Sequence, residues 1–239
     1  MARRSNPYFQ FKQFTLFQDR CAMKVGTDGV LLGAWTEVKK TQTLLDIGTG
    51  TGLVALMLAQ RSTAEIDAVE IDENSCIQAQ ENVTRAPWKE RIKIYHSSVQ
   101  DYTKCCSKRY NLIVSNPPFF ENAYKASKPP RTVARHTDLF SAVDLLNVSE
   151  QLLDEGGRLA VIYPTEAANR FQEKAQELGF FCNQKLLVKP TPTSSTKRIL
   201  MELSKRQKNQ SENTLIIETE RHIYTPEFID LVKDFYLKY

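Results

Sequence analysis

Features that mark special classes of protein are scarce in this chain of 239 residues. Its 5 cysteines, Cys21, Cys76, Cys105, Cys106 and Cys182, are odd in number, and their only close pair is adjacent. Neither a disulfide framework nor a CxxC-type zinc site can be written from them. None of the 3 histidines has metal-ligand spacing to a cysteine, so no metal site is expected. The longest apolar run, residues 53–59, is too short to cross a bilayer. Arg3 and Arg4 lead into a polar-aromatic stretch and not into the apolar core of a secretory signal. A cytoplasmic protein without a membrane partner is the expectation. Neither sign of charge dominates: 32 Lys and Arg against 28 Asp and Glu leave +4, which permits a polyanionic partner without demanding one. No repeat, low-complexity tract or long linker divides the chain. What is present, 41% hydrophobic and 25% charged residues, suffices for one substantial core, and a single domain over residues 1–239 is expected, in an oligomeric state the sequence leaves open.

Glycine numbers only 9, yet three fall in Asp46-Ile47-Gly48-Thr49-Gly50-Thr51-Gly52, where a short apolar strand enters a turn and the apolar residues 53–58 continue as a helix. Further strands are predicted at 66–71, 92–96, 112–115 and 158–163. Helices are predicted at 74–85, at 139–153 with Gly156-Gly157 as its end signal, and at 166–178 closed by Gly179. Such alternation requires a mostly parallel, Rossmann-like α/β sheet with helices on both faces. The pattern then changes over residues 180–239. Strands at 180–188 and 198–204 form an antiparallel hairpin, a short strand follows at 214–218, and Thr225-Pro226 starts a final helix. Residues 1–35 remain as an N-terminal cap.

The glycine turn lets backbone approach a ligand closely, and Glu70, at the end of the next strand, can accept both hydroxyl protons of a ribose. Dinucleotide sites use G-x-G-x-x-G to seat a pyrophosphate, whereas this chain has G-x-G-x-G with Asp46 before it. A carboxylate there repels phosphate and welcomes a cation. S-adenosyl-L-methionine, with an ammonium, a sulfonium and no phosphate, satisfies the pattern. These residues resemble class I methyltransferases, with Asp46 to Gly52 as their first motif and Glu70 as their second. The resemblance implies that Glu70 holds the ribose and that the loop carrying Ser98 and Val99 meets the adenine.

The fourth strand ends in Asn116-Pro117-Pro118-Phe119. Two prolines stop a strand, and ligands of parallel sheets bind at strand carboxyl ends, so the motif is expected to face the methyl donor. The Asn116 side-chain oxygen and the Pro117 carbonyl are acceptors suited to the two hydrogens of a planar exocyclic amine, and Phe119 can stack on a base. Catalysis would then rest on positioning and polarisation, without a nucleophilic enzyme residue or obligatory metal. The combination resembles the amino-methyltransferases, whose substrates include adenine N6, guanine N2 and glutamine side-chain amides. A binding module that keeps the fold without catalysis is the alternative of another class.

The segment holding Lys24, Thr27 and Asp28 can close over the donor. Together with Asn116 to Phe119, residues 131–136 and residues 224–228, it is similar to the bacterial valine-tRNA adenine-37 N6-methyltransferases across nearly the whole chain. The resemblance implies methylation of an adenine beside the anticodon, with tRNA as partner. Two basic clusters could track its phosphates: Lys125, Lys128, Arg131 and Arg135, and a hairpin group containing Lys185, Lys189, Lys197, Arg198, Lys205, Arg206 and Lys208.

Overall fold

The computed structural model describes residues 6–21, 23–117 and 140–239. Its centre is an eight-stranded sheet containing β3 (Thr43–Ile47), β4 (Glu65–Glu70), β5 (Ile92–His96), β6 (Tyr110–Ser115), β7 (Leu153–Pro164), β8 (Phe181–Lys189), β9 (Arg198–Ser204) and β10 (Ser211–Ile216). The spatial order is β10-β8-β9-β7-β6-β3-β4-β5. All pairings are parallel except those of β9 with β7 and β8, so the hairpin expected from residues 180–204 is present and β9 alone runs against the others.

Strands buried on both faces alternate between two cores. Along β6 and β7, Leu112, Val114, Ala160 and Ile162 face one layer while Ile113, Leu159, Val161 and Tyr163 face the other. The first layer holds α1 (Thr27–Trp35), α2 (Leu53–Arg61), α3 (Glu73–Arg85) and the last helix, α7 (Pro226–Val232). The second holds α4 (Val99–Cys105), α5 (Ala142–Leu152) and α6 (Thr165–Glu177). Side-chain caps start several helices: Asp72 accepts from Ser75 N, Ser98 from Asp101 N, and Thr225 from Phe228 N, while Ser141 and Asp144 form a reciprocal capping box. Among the described residues no helix is long and apolar enough to cross a membrane.

Three local expectations are corrected. Gly156 and Gly157 do not end α5, which stops at Leu152; they lie inside β7, where Gly156 (φ +97°) accompanies a shift of register against β6. The segment expected to close over the donor as a loop is a helix from Thr27 onward. The strand expected at 214–218 begins earlier, at Ser211, and adds itself to the sheet edge beside β8. Ahead of the sheet, β1 (Tyr8–Gln10) and β2 (Thr15–Phe17) form a small antiparallel hairpin, and a second pair, β11 (Glu218–Glu220) and β12 (Ile223–Tyr224), precedes α7.

Candidate functional site

Between β3 and β6 the chain order reverses: connections lead from β3 outward to β4 and β5, and from β6 the other way to β7. Such a switch point leaves a crevice above the strand carboxyl ends. A cavity of ≈ 470 Å³ lies there, within the size range of small-molecule sites. Its walls include Lys24, Thr27, Asp28, Asp46, Gly48, Gly50, Asn116, Pro117 and Arg198. Nine residues singled out in the sequence, up to 174 positions apart, thus share one cavity.

The floor is the glycine turn. Gly48 and Gly50 both have positive φ (+72° and +57°), and a Cβ built on either meets nothing within 4 Å. The turn therefore requires glycine for its backbone and leaves open space where side chains would stand. Gly52 caps α2 in the left-handed region. The turn is braced from below and beside: Gly48 N donates to Val69 O at 2.9 Å, and Gly50 N to Glu70 Oε2 at 2.8 Å. The other oxygen of Glu70 accepts from Asp72 N at 2.9 Å. Burial raises the Glu70 pKa, opposed by those backbone donors.

Asp46 is 1% exposed and no cation pairs with it among the described residues; Thr49 Oγ1 donates to its Oδ2 at 2.6 Å. Burial without a counter-ion pushes its pKa from 3.8 to about 7. Asn116, just past the end of β6, presents an unsatisfied group: its Oδ1 is buried and has no hydrogen-bond partner among the described residues. Buried acceptors are rarely left so, and this one borders the cavity. Ser115 beside it ties β6 to β3 through Oγ to Ile47 O at 2.9 Å.

Asp28 and Arg198 meet across the cavity wall, Arg198 Nε donating to Asp28 Oδ2 at 2.8 Å. Arg198, expected from the sequence to face phosphate, is engaged at this point by the α1 carboxylate. The ammonium of Lys24 donates to the Gln18 carbonyl, and Val25 N to Gln18 Oε1 at 2.7 Å, so the residues entering α1 are pinned by one buried glutamine.

Glu70, Ser98 and Val99 do not line this cavity. The order β6-β3-β4-β5 puts the tips bearing Asn116, the glycines, Glu70 and the 97–98 loop in succession, at roughly 5 Å per strand. An elongated ligand crossing these tips would touch each in turn. Ser98 Oγ is committed to Asp101, and Val99 packs into the second core. Pro118, Phe119, Lys125, Lys128, Arg131 and Arg135 lie outside the described residues. Lys197 stands exposed in the β8–β9 loop.

Sequence reading missed Gln18, Met23 and Asn82. Asn82 exchanges two hydrogen bonds with the Phe17 backbone, both at 2.8 Å, and donates to Thr51 O at 2.9 Å, coupling the N-terminal hairpin to the glycine turn. A signal existed: Gln78 and Asn82 are polar residues, spaced i and i+4, on the buried face of α3. Met23 borders the cavity yet is 60% exposed, an apolar side chain at its mouth.

The empty floor above Gly48 and Gly50, the uncompensated Asp46 carboxylate and the orphaned Asn116 oxygen fit a donor carrying an ammonium at one end and a reaction centre near β6. Comparison with known proteins agrees. Residues 23–184 match the family model described as methyltransferase small domain. The fold resembles solved structures of a predicted O-methyltransferase from Agrobacterium tumefaciens (TM-score 0.70, 18% identity, 87% of this chain and 96% of that one) and a methyltransferase from Pyrococcus furiosus (TM-score 0.55, 21% identity, 74% and 81%). Proteins named tRNA1(Val) (adenine(37)-N6)-methyltransferase match almost end to end. The one from Trichodesmium erythraeum is 63% identical over 97% of this chain and 98% of its own length, and that from Parabacteroides distasonis 48% identical over 98% and 99%. This chain belongs to the tRNA1(Val) (adenine(37)-N6)-methyltransferase family, within the small-domain methyltransferases.

Proposed function

We propose that this protein transfers one methyl group from S-adenosyl-L-methionine to N6 of adenine 37 in valine tRNA, acting in the cytoplasm where that substrate is found. The orphaned Asn116 oxygen carries the reading: it is a buried acceptor without a donor among the described residues, at the strand tip beside the glycine turn. An adenine amine supplies the missing hydrogen.

Bound S-adenosyl-L-methionine supplies a methyl group made electrophilic by its sulfonium. Asp46 offers its carboxylate to the ammonium end, the backbone at Gly48 and Gly50 leaves room for the ligand, and Glu70 accepts from the ribose hydroxyls. Lys24, Thr27 and Asp28 form the wall above. With Ser98 Oγ capping α4, the 97–98 loop offers mainly backbone to the donor's adenine. Asn116 Oδ1 and the Pro117 carbonyl each accept one N6 hydrogen of the target base, holding the nitrogen lone pair toward the methyl carbon. With the donor bound, an N–C bond would form as the donor's S–C bond broke, and the amine would then release a proton to solvent. Phe119 would stack on the base, and Lys125, Lys128, Arg131 and Arg135 would contact phosphates.

Asn116→Ala tests this. Turnover on transcribed valine tRNA, read as N6-methyladenosine by nucleoside mass analysis, is expected to fall by about a hundredfold or more, as loss of reactive geometry costs. Donor affinity by calorimetry should stay within about twofold. Unchanged turnover, or methyl groups found on guanine or protein amides, would overturn the reading.

A further inference from the structure

We infer that the β8–β9 loop, residues 190–197, is a preformed cradle for the tRNA backbone beside the reacting nucleotide, and that only the site-facing half of the hairpin's basic cluster takes part. The inference rests on the tRNA reading above and specifies where the polyanion lies.

The topology comes first. Because β9 runs against both β7 and β8, β8 points the same way as the parallel strands, and its carboxyl end emerges on the edge that carries the glycine turn and Asn116. The loop begins after Lys189 on that edge and returns into the sheet at Arg198, which is itself part of the cavity wall. The loop thus lies on the edge from which a base would enter, and its last neighbour, Arg198, shares the cavity wall with Asn116.

Its chemistry suits phosphate. From Lys185 to Met201 there is no acidic residue, while residues 191–196 read Thr-Pro-Thr-Ser-Ser-Thr, and Thr193, Ser195 and Lys197 are exposed. Hydroxyls, backbone N–H groups and lysines are the usual donors to phosphate oxygens. Neither Lys189 nor Lys197 has an acidic partner among the described residues. The loop is also ordered in advance. Thr191 Oγ1 and Ser194 Oγ lie 2.7 Å apart, Ser194 N donates to Thr191 O, Thr165 Oγ1 donates to Thr196 O at 2.8 Å, and Lys197 N donates to Val188 O at 2.8 Å. Ordering before contact lowers the entropic cost of binding.

The rest of the cluster is elsewhere. Lys205, Arg206 and Lys208 follow the far end of β9, roughly 20 Å away along seven residues of strand. There Lys205 pairs with Glu150 and Arg206 with Glu155. One contiguous charge cluster in sequence is thus two separate features in space.

The experiment compares Lys189→Ser/Lys197→Ser with Arg206→Ser/Lys208→Ser and the unchanged protein, using transcribed valine tRNA in anisotropy titrations from low to high salt. The loop pair is expected to lose about tenfold in affinity at physiological salt and to flatten the log–log salt slope by about 1 per lysine, with calorimetric donor affinity unchanged. The far pair should match the unchanged protein. Equal affinity and slope for the loop pair would overturn the cradle while the unchanged protein still bound and methylated tRNA. If the unchanged protein neither binds nor methylates tRNA, the functional reading fails and the cradle with it.

Discussion

Asp46 keeps its proton up to about pH 7 because it sits 1% exposed without a counter-ion. Its folded-state pKa lies above the ordinary 3.8, so the folded chain holds a proton that the unfolded chain releases. Stability from this group is complete below about pH 4 and declines as pH rises through about 7, by an amount on the order of a few kcal/mol. Donor binding runs in the opposite direction, since the ammonium is attracted to the ionised form and affinity should increase between pH 6 and 8. Asp46→Asn keeps an acceptor for Thr49 Oγ1 and removes the ionisation. It should be more heat-stable than the unchanged protein at pH 8, differ less at pH 5.5, and bind the donor weakly at every pH. Melting curves and calorimetry across that range check both halves; parallel stability profiles for the two proteins would refute the assignment.

Helices α1 and α2 approach so closely that glycine is demanded at Gly33. A Cβ there would lie 2.8 Å from Met57 Cβ, and one at Gly29 would lie 2.9 Å from Leu53 Cδ2. Helix propensity favours Gly33→Ala by about 1 kcal/mol, but overpacking against a helix-borne Cβ costs about 1–3 kcal/mol. Overpacking wins, so the substitution should lower the denaturation midpoint; a rise would show that the helices can separate without cost. The same contact explains why α1 was hidden in the sequence. Two glycines in nine residues argue against a helix, and what stabilises this one is a neighbour 24 residues onward. Helix α4 was hidden for another reason, being seven residues long with only Val99 buried. By contrast β3, β4 and β6 were legible to within two residues, because strands buried on both faces are short apolar runs between breakers. Asp46 to Gly52, Glu70 and Asn116 were legible for a related reason: all sit at strand tips, where local spacing reflects the geometry. The Asp28–Arg198 pair spans 170 positions and has no local pattern to reveal it.

At the scale of the molecule, the two ends of the described chain close one layer together. Phe11 is 1% exposed and packs its ring against Phe9, Phe14 and Tyr236 at centroid distances of 4.8, 4.6 and 6.1 Å. Lys12 N donates to Phe235 O at 2.8 Å, and Lys12 Nζ to Lys233 O at 2.6 Å. Phe11, Phe14 and Leu16 belong to the same core as α1, α2 and the α7 residues Phe228 and Val232. The N-terminal hairpin is therefore part of the sheet's packing and not a detachable lid, and through Asn82 it also reaches the glycine turn. Phe11→Ala should cost about 3–5 kcal/mol, as emptying a buried aromatic site does. In a chain of this length that lowers Tm by about 10 °C. Because the hairpin shares its core with the sheet, unfolding should remain one transition, with calorimetric and van't Hoff enthalpies equal and donor protection shifting the whole curve. If a low-temperature step moved alone while the main transition stayed in place, the hairpin would be an independent unit and the single-domain expectation would fail.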